Sequence, residues 1–260
     1  MPVARLDTRA LISVSGPDCR SFLHNLLTQD VTTLADGEVR YGALLGPQGR
    51  LLFDLFLFGR TEAVLIDCAA IQRDDLIRRL GLYRLRLAVQ IETDPRPVFA
   101  AWGDARPEWP SDPRLPGLGR RSPGPAEADA GPEAWRAHGL AHGVPDTEDF
   151  TVDSDYPIDC DLDLLNGIDF QKGCFIGQEV TSRMKRRGRI KSRLVPIRFD
   201  GTPPAMGTEI LNGDLRAGEV RGGLDGVAMA MLRLDRLAGD LTAAGRPVRV
   251  DLPDWLVLTA

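Results

Sequence analysis

The run Leu51–Phe58, Leu-Leu-Phe-Asp-Leu-Phe-Leu-Phe, constrains this chain more than any other stretch, because apart from Asp54 it is apolar at both alternate sets of positions. Successive side chains of a strand point to opposite faces, so such a run has to bury both, as a central strand does. Arg40–Leu45 precedes it across Gly46-Pro47-Gln48-Gly49, whose glycines can take positive φ, and this predicts a hairpin. Ala10–Val14 and Ala63–Cys68 supply further strands. Ser15-Gly16-Pro17-Asp18 resembles a helix start and is followed by Phe22, Leu23, Leu26 and Leu27 at helical spacing. Ile71, Leu76, Ile77 and Leu80 mark a second helix with Arg and Asp on its outer side. The mixture predicts an α+β layer with antiparallel pairing.

Further along, Pro95 to Pro132 carries nine prolines and several glycines, which by composition alone reads as a linker or irregular excursion. Ala134–Ala141 resumes a helical pattern, and Asp159–Leu165 leads into the turn signal Asn166-Gly167. After Lys191 the pattern changes to short strands, Leu194–Phe199, Gly218–Arg221, Val227–Met231 and Val248–Leu252, broken by Gly and Pro. That pattern predicts a small C-terminal β-barrel domain.

Several classes of function are disfavoured. A chain of 260 residues buries enough surface to need no disulfide or structural metal for its core. Its net charge of −5 argues against direct nucleic-acid binding, which draws on a basic surface. Cys19, Cys68, Cys160 and Cys174 form no C-x-x-C pair, so no permanently bound metal or cluster is expected. Met1–Asp7 lacks the pattern of a secretory signal, and no apolar run is long enough for a membrane helix. The expected location is the cytoplasm, where free thiols are normal.

The segment that carries chemistry is Lys172-Gly173-Cys174-Phe175-Ile176-Gly177-Gln178-Glu179. Val180 to Gly188 after it reads as a helix with its acid early, its bases late and Gly at the stop. A cysteine just ahead of a helix N-terminus and two residues from Lys172 sits where positive potential favours thiolate. The competing reading is a small buried hydrophobe, the common fate of a single cysteine. The cationic run Lys185, Arg186, Arg187, Arg189, Lys191 and Arg193 reads either as a solvated face or as a surface for a carboxylate, a phosphate or an acidic protein.

The octet Lys172–Glu179 is the signature K-G-C-[FY]-x-G-Q-E of the YgfZ family, which this chain therefore resembles. Leu162-Asp163-Leu164-Leu165-Asn166-Gly167 leads into it as in that family, and Thr181, Arg183, Arg187, Gly188 and Lys191 continue it. Val14–Asp18 with Phe22-Leu23, Leu27-Thr28-Gln29-Asp30-Val31, Gly49-Arg50 with Phe53-Asp54-Leu55, and Asp112–Pro116 with Leu118, Gly119 and Arg121 are similar to family stretches as well. The resemblance covers most of Ala10–Phe199 and moves the proline-rich stretch into a second structural unit. It implies the folate-binding fold of the glycine cleavage T-protein (an aminomethyltransferase), with two α+β subdomains at 1–95 and 96–190 and a barrel at 191–260, arranged as a ring.

That resemblance also implies a function: a tetrahydrofolate-binding accessory protein that supports assembly or repair of [4Fe–4S] clusters in client enzymes, radical enzymes of tRNA modification among them. Cys174 is then the functional thiol, with Lys172 beside it. Asp54 falls where the T-protein has an aspartate facing the reactive folate nitrogens; the other reading of Asp54 is a hairpin carboxylate paired to Arg50. Trp135 matches a tryptophan flanking the folate site, or is a packing aromatic of its helix. Gly173, Gly177, Gln178, Glu179 and Arg183 complete the implied binding set. Where T-proteins grip the pterin with a glutamate, this chain has Ala141. The alternative function is a folate-dependent aminomethyl transferase in which Asp54 orients or protonates the folate nitrogen.

Overall fold

In the computed structural model, which describes residues 2–103, 105–188 and 190–258, the chain opens with β1 (Val3–Arg5) and β2 (Arg9–Ser15). There follow α1 (Cys19–Leu26), β3 (Val39–Leu45), β4 (Leu51–Gly59), β5 (Ala63–Ala69), α2 (Arg73–Arg84) and β6 (Gln90–Asp94). Five of these strands form an antiparallel sheet in the order β3-β4-β5-β2-β6. All nine residues of β4 are buried. Phe53, Leu55 and Leu57 pack with Phe22, Leu23 and Leu26 of α1 and with Leu76 and Leu80 of α2. Phe56 and Phe58 face the other way, toward Phe150, Ile158 and Phe175. Each such side chain contributes about 2 kcal/mol by leaving water. The central strand expected from the sequence is thus buried on both faces. Ile71 is a correction: it lies ahead of α2 and is 94% exposed, because the helix starts only at Arg73.

Beyond β6 the chain forms β7 (Val98–Ala101), β8 (Arg120–Pro123), α3 (Pro132–Ala141) and α4 (Gln178–Arg187). The proline-rich stretch contains two strands, β7 and β8, which join β1 in a second sheet of order β1-β7-β8. One strand therefore departs from the expected division, since β1 belongs by sequence to the stretch 1–95 and by pairing to the next unit. A linker reading fails here because alternate residues of Val98–Ala101 are buried against two different clusters.

The C-terminal strands are β9 (Ser192–Arg198), β10 (Glu209–Asn212), β11 (Leu215–Leu224), β12 (Val227–Arg233), β13 (Leu241–Ala243) and β14 (Arg246–Val250). They close into a six-stranded barrel in the order β10-β11-β12-β9-β14-β13, filled by small and branched residues such as Val195, Ile197, Ala228, Ala230 and Leu232. Two buried arginines dock it on the preceding unit. Arg193 donates to the Ile158 carbonyl at 2.7 Å, to Asp161 at 2.8 Å and to Asp163 at 2.9 Å, and Arg221 donates to Asp155 at 3.1 Å. Arg193 thereby leaves the cationic run and becomes a structural ion pair. Lys185 is also paired, to Asp163 at 2.9 Å, while Arg189 and the side chain of Arg187 lie outside the described residues. Among the described residues no helix is long and apolar enough to cross a membrane.

Candidate functional site: an exposed thiol and a three-unit cavity

The segment from Asn166 to Gly177 is laced to the C-terminal end of α1. Thr28 Oγ1 donates to the Gly167 carbonyl at 2.7 Å, Gln29 Nε2 to the Asn166 carbonyl at 2.5 Å, and the Asp169 amide to the Thr28 carbonyl at 2.9 Å. Lys172 then donates its ammonium to the carbonyls of His24 and Leu27, the latter at 2.6 Å. Helix ends leave such carbonyls without intrahelical partners, and here a lysine supplies the missing donor. Burial pushes the Lys172 ammonium down to about 8, against the opposing pull of Asp30 and Asp169. Lys172 is thus a cap that fixes the loop.

Downstream of Cys174 the chain is held equally firmly. Phe175 is buried in the core on one side of the sheet, and Ile176 packs against the core on the other. Gly177 has φ +80 and touches the hairpin turn: a Cβ there would lie 2.8 Å from the Gly46 carbonyl oxygen and 2.9 Å from Gly49 Cα. Only a glycine combines that backbone angle with that approach. Helix α4 begins at Gln178, whose N–H donates to Phe175 O at 3.2 Å, so a turn separates Cys174 from the helix. The helix expected from Val180 thus starts two residues earlier, and Cys174 lies ahead of its N-terminus.

Cys174 itself is exposed, whereas Cys19, Cys68 and Cys160 are buried. Burial pushes the Cys68 thiol up to about 12 and that of Cys160 well above its ordinary value, which leaves both as inert core residues. Beside Cys174, a Cβ on Gly173 would lie 3.5 Å from Nε2 of His24. The other ring nitrogen of His24 is 2.9 Å from Asp30 Oδ1. Against burial, hydrogen bonds from Thr32, Thr33 and His24 hold the Asp30 carboxyl well below its ordinary value. Gln178 and Glu179 line a shallow groove along α4 together with Phe170, Gln171 and Lys185, and Glu179 forms an exposed i,i+4 pair with Arg183 at 2.7 Å. Such a pair contributes about 0.3–0.5 kcal/mol.

Asp54 and Trp135 belong to a different place. A cavity of about 540 Å³ opens where the three units meet, lined by Arg9 from β2, Gln72 ahead of α2, Trp135 and Arg136 from α3, Thr147 and Phe150 from the following loop, and Leu224 from β11. Trp135 contributes to this wall while most of its surface is buried against Trp102 and His138, with ring centroids 5.8 Å apart in each case. Asp54 is 2% exposed and lies behind the wall: Thr147 Oγ1 donates to its Oδ1 at 2.6 Å and Arg9 Nη1 to its Oδ2 at 3.3 Å. Arg50 turns elsewhere, with its guanidinium 3.7 Å over the Tyr156 ring, so the alternative Asp54–Arg50 pair is not formed.

Below the cavity runs a buried ionic network that sequence reasoning missed. Asp67 accepts from Arg9 and from Arg121, each at 2.6 Å, and Asp112 pairs with Arg114 at 3.0 Å. The three guanidinium carbons lie 5.4, 3.9 and 4.9 Å from the centroid of the Phe56 ring for Arg9, Arg121 and Arg114. Its one sequence signal was Arg9 and Asp67, charged residues flanking or interrupting otherwise apolar strands. The predicted residues therefore divide into two groups: the Lys172–Arg183 set on the loop and α4, and Trp135 in the cavity wall with Asp54 buried behind it. No residue of the octet lines the cavity. Among the described residues no group of three or more His, Cys, Asp or Glu is placed to hold a metal ion.

Residues 191–258 match the family model described as the CAF17 C-terminal β-barrel domain. The iron–sulfur cluster assembly factor IBA57, mitochondrial, of Homo sapiens is 31% identical over 302 residues, covering 96% of this chain and 84% of the human protein. Its counterpart in Mus musculus is 30% identical over 303 residues with the same coverage. Among solved structures, the glycine cleavage system aminomethyltransferase T from Bartonella henselae superposes with a TM-score of 0.73 over 97% of this chain and 84% of that one, at 17% identity. That likeness establishes an aminomethyltransferase-like fold, with the closed barrel at its C-terminal end. By its similarity to the human and mouse proteins over 96% of its length, the chain belongs to the family of the iron–sulfur cluster assembly factor IBA57.

Proposed function

We propose that this protein is an accessory factor in the assembly or repair of [4Fe–4S] clusters in client enzymes, with Cys174 as its working thiol. The observation that carries the reading is the contrast among the cysteines: Cys174 alone is exposed, on a loop fixed at both ends by the Lys172 cap and the Gly177 contact. A thiolate ligates iron, and a single one without partner cysteines suits transient contact with a cluster or client better than storage. The names of the human and mouse relatives support the same activity. The finer YgfZ-type reading adds radical enzymes of tRNA modification as clients and the cytoplasm as the place of work; the relatives named above are mitochondrial.

Tetrahydrofolate is the ligand we assign to the three-unit cavity. Its volume falls within the range of small-molecule sites, and Trp135 and Phe150 form part of its wall with their edges, beside Arg136, which is paired with Glu148 and with Asp149 at 2.7 Å. Aminomethyl transfer through Asp54 has less support, because both of its carboxylate oxygens are engaged by Thr147 and Arg9. Cells lacking the protein and supplied with Cys174→Ser should show low activity of [4Fe–4S] enzymes at normal protein level; full activity would refute the thiol's role. Titration with tetrahydrofolate should show binding that Trp135→Ala weakens, and an unchanged affinity would remove folate from the cavity.

A further inference from the structure

Resting on the reading of Cys174 as an iron-contacting thiol, we propose that His24 is a second protein ligand at the same place, meeting the cargo iron through Nε2 while Cys174 meets it through Sγ. Three observations lead there.

The first is how the imidazole is held. Nδ1 of His24 lies 2.9 Å from Asp30 Oδ1, an oxygen that also receives the Thr32 hydroxyl at 2.6 Å and the Thr32 amide at 2.8 Å. A carboxylate surrounded by donors can only accept, so Nδ1 carries the proton and the lone pair of the neutral ring is on Nε2. A histidine fixed through one nitrogen by a carboxylate, with the other free, is the arrangement proteins use to present imidazole to a metal.

The second is where Nε2 points. No hydrogen bond engages it among the described residues, and it is not among the buried polar atoms left without a partner, so it faces accessible space. The His24 side chain is 18% exposed. That space borders Gly173, the residue immediately before Cys174: a Cβ on Gly173 would start 3.5 Å from Nε2, and any longer side chain would cover it. Gly173 does not have a positive φ, so its backbone does not call for glycine. The open approach to the imidazole gives a reason for its identity.

The third is rigidity. Lys172 donates to the carbonyl of His24 itself, so the histidine and the residue two places before the cysteine are joined directly. Consecutive Cα atoms are about 3.8 Å apart, so the backbone of Cys174 adjoins the residue that borders the ring edge. Thiolate and imidazole are both established partners of iron in sulfur-rich sites. Two protein ligands leave the remaining positions of an iron for sulfide, water or a client's own cysteines, which suits cargo that must leave again.

Cobalt(II) added to the purified, reduced protein reports each ligand separately, because thiolate ligation gives a charge-transfer absorption that imidazole does not. The wild type should show this band, and Cys174→Ser should lose it. His24→Ala should keep the band at saturation with affinity weaker by at least about 10-fold, the size that loss of an outer-shell partner alone produces. His24→Gln, which keeps the side chain's bulk on α1, should be weakened likewise, so a folding defect in the alanine variant cannot imitate the result. Gly173→Ala should also weaken binding by screening Nε2. Wild-type affinity in both His24 variants with the band still dependent on Cys174 would overturn the role of His24 and leave that of Cys174 standing. A wild type without the band, or a band that survives Cys174→Ser, would overturn both.

Discussion

The ammonium of Lys172 lies 2.6 Å from the carbonyl oxygen of Leu27, a residue 145 positions earlier, and so closes the end of α1 from within the segment that presents Cys174. Replacing Lys172 by Met keeps the stem's bulk and leaves two carbonyls without their donor. The expected loss is about 1–3 kcal/mol, read as a lower urea midpoint at unchanged slope. A midpoint equal to wild type would show that water substitutes for the cap.

Gly177 and Gly188 both have left-handed backbone, φ +80 and +61, and differ in surroundings. A Cβ on Gly177 would strike the Gly46 carbonyl at 2.8 Å, whereas one on Gly188 meets nothing within 4 Å. Gly188→Ala should therefore cost about 1 kcal/mol for backbone strain alone, and Gly177→Ala about 3 kcal/mol or more once the hairpin has to move. Thermal melting of the two variants side by side checks this, and equal losses would contradict the close approach.

Arg121 is buried with Asp67 and Asp112 on either side of it. Arg121→Met should destabilise by about 3–5 kcal/mol, because the carboxylates left behind lose part of their compensation in a low-dielectric site. Adding Asp67→Asn to Arg121→Met should recover part of that loss, since Asp67 is the carboxylate that loses its 2.6 Å partner, while Arg9 keeps Asp54 at 3.3 Å. Additive losses would show that the network is not coupled.

Asp159 makes a pH-dependent contribution. Burial, with the nearby charge of Asp155, pushes its carboxyl up to about 7 from an ordinary value of 3.8. Between these values the folded state binds the proton more tightly than the unfolded state, so stability is full below about pH 4 and falls as pH rises through 7. Asp159→Asn should flatten this fall and stabilise the protein at pH 8 by about 2 kcal/mol, a figure already reduced for partial exposure. Unfolding curves at pH 5 and pH 8 decide, and an unchanged difference between them would contradict the assignment.

What could be read from the sequence was local. Gly49, with φ +75, and the two-faced apolar run after it specify the hairpin and its burial, because turn chemistry and side-chain alternation act within a few residues, whereas Gly46 does not take the positive φ its residue type allows. The octet led to Cys174, and the structure added its exposure. The short strands β10 and β13 carried too few residues to reveal a pattern, and β1 needs partners about a hundred positions away, Val3 with Ala101. The ionic network and the His24–Asp30 pair were hidden for a related reason: a lone charge in an apolar strand, or a histidine on a helix, acquires meaning only from its neighbour across the fold. Proline-rich composition hid β7 and β8 because their short runs depend on pairing with β1 and each other.

The most direct measurement of the central claim is the recovery of activity by an apo [4Fe–4S] enzyme supplied with iron, sulfide and this protein under anaerobic conditions. Wild-type protein should speed recovery, while Cys174→Ser, verified as folded by its melting temperature, should leave the rate at that of iron and sulfide alone. Acceleration by the serine variant equal to wild type would contradict the account.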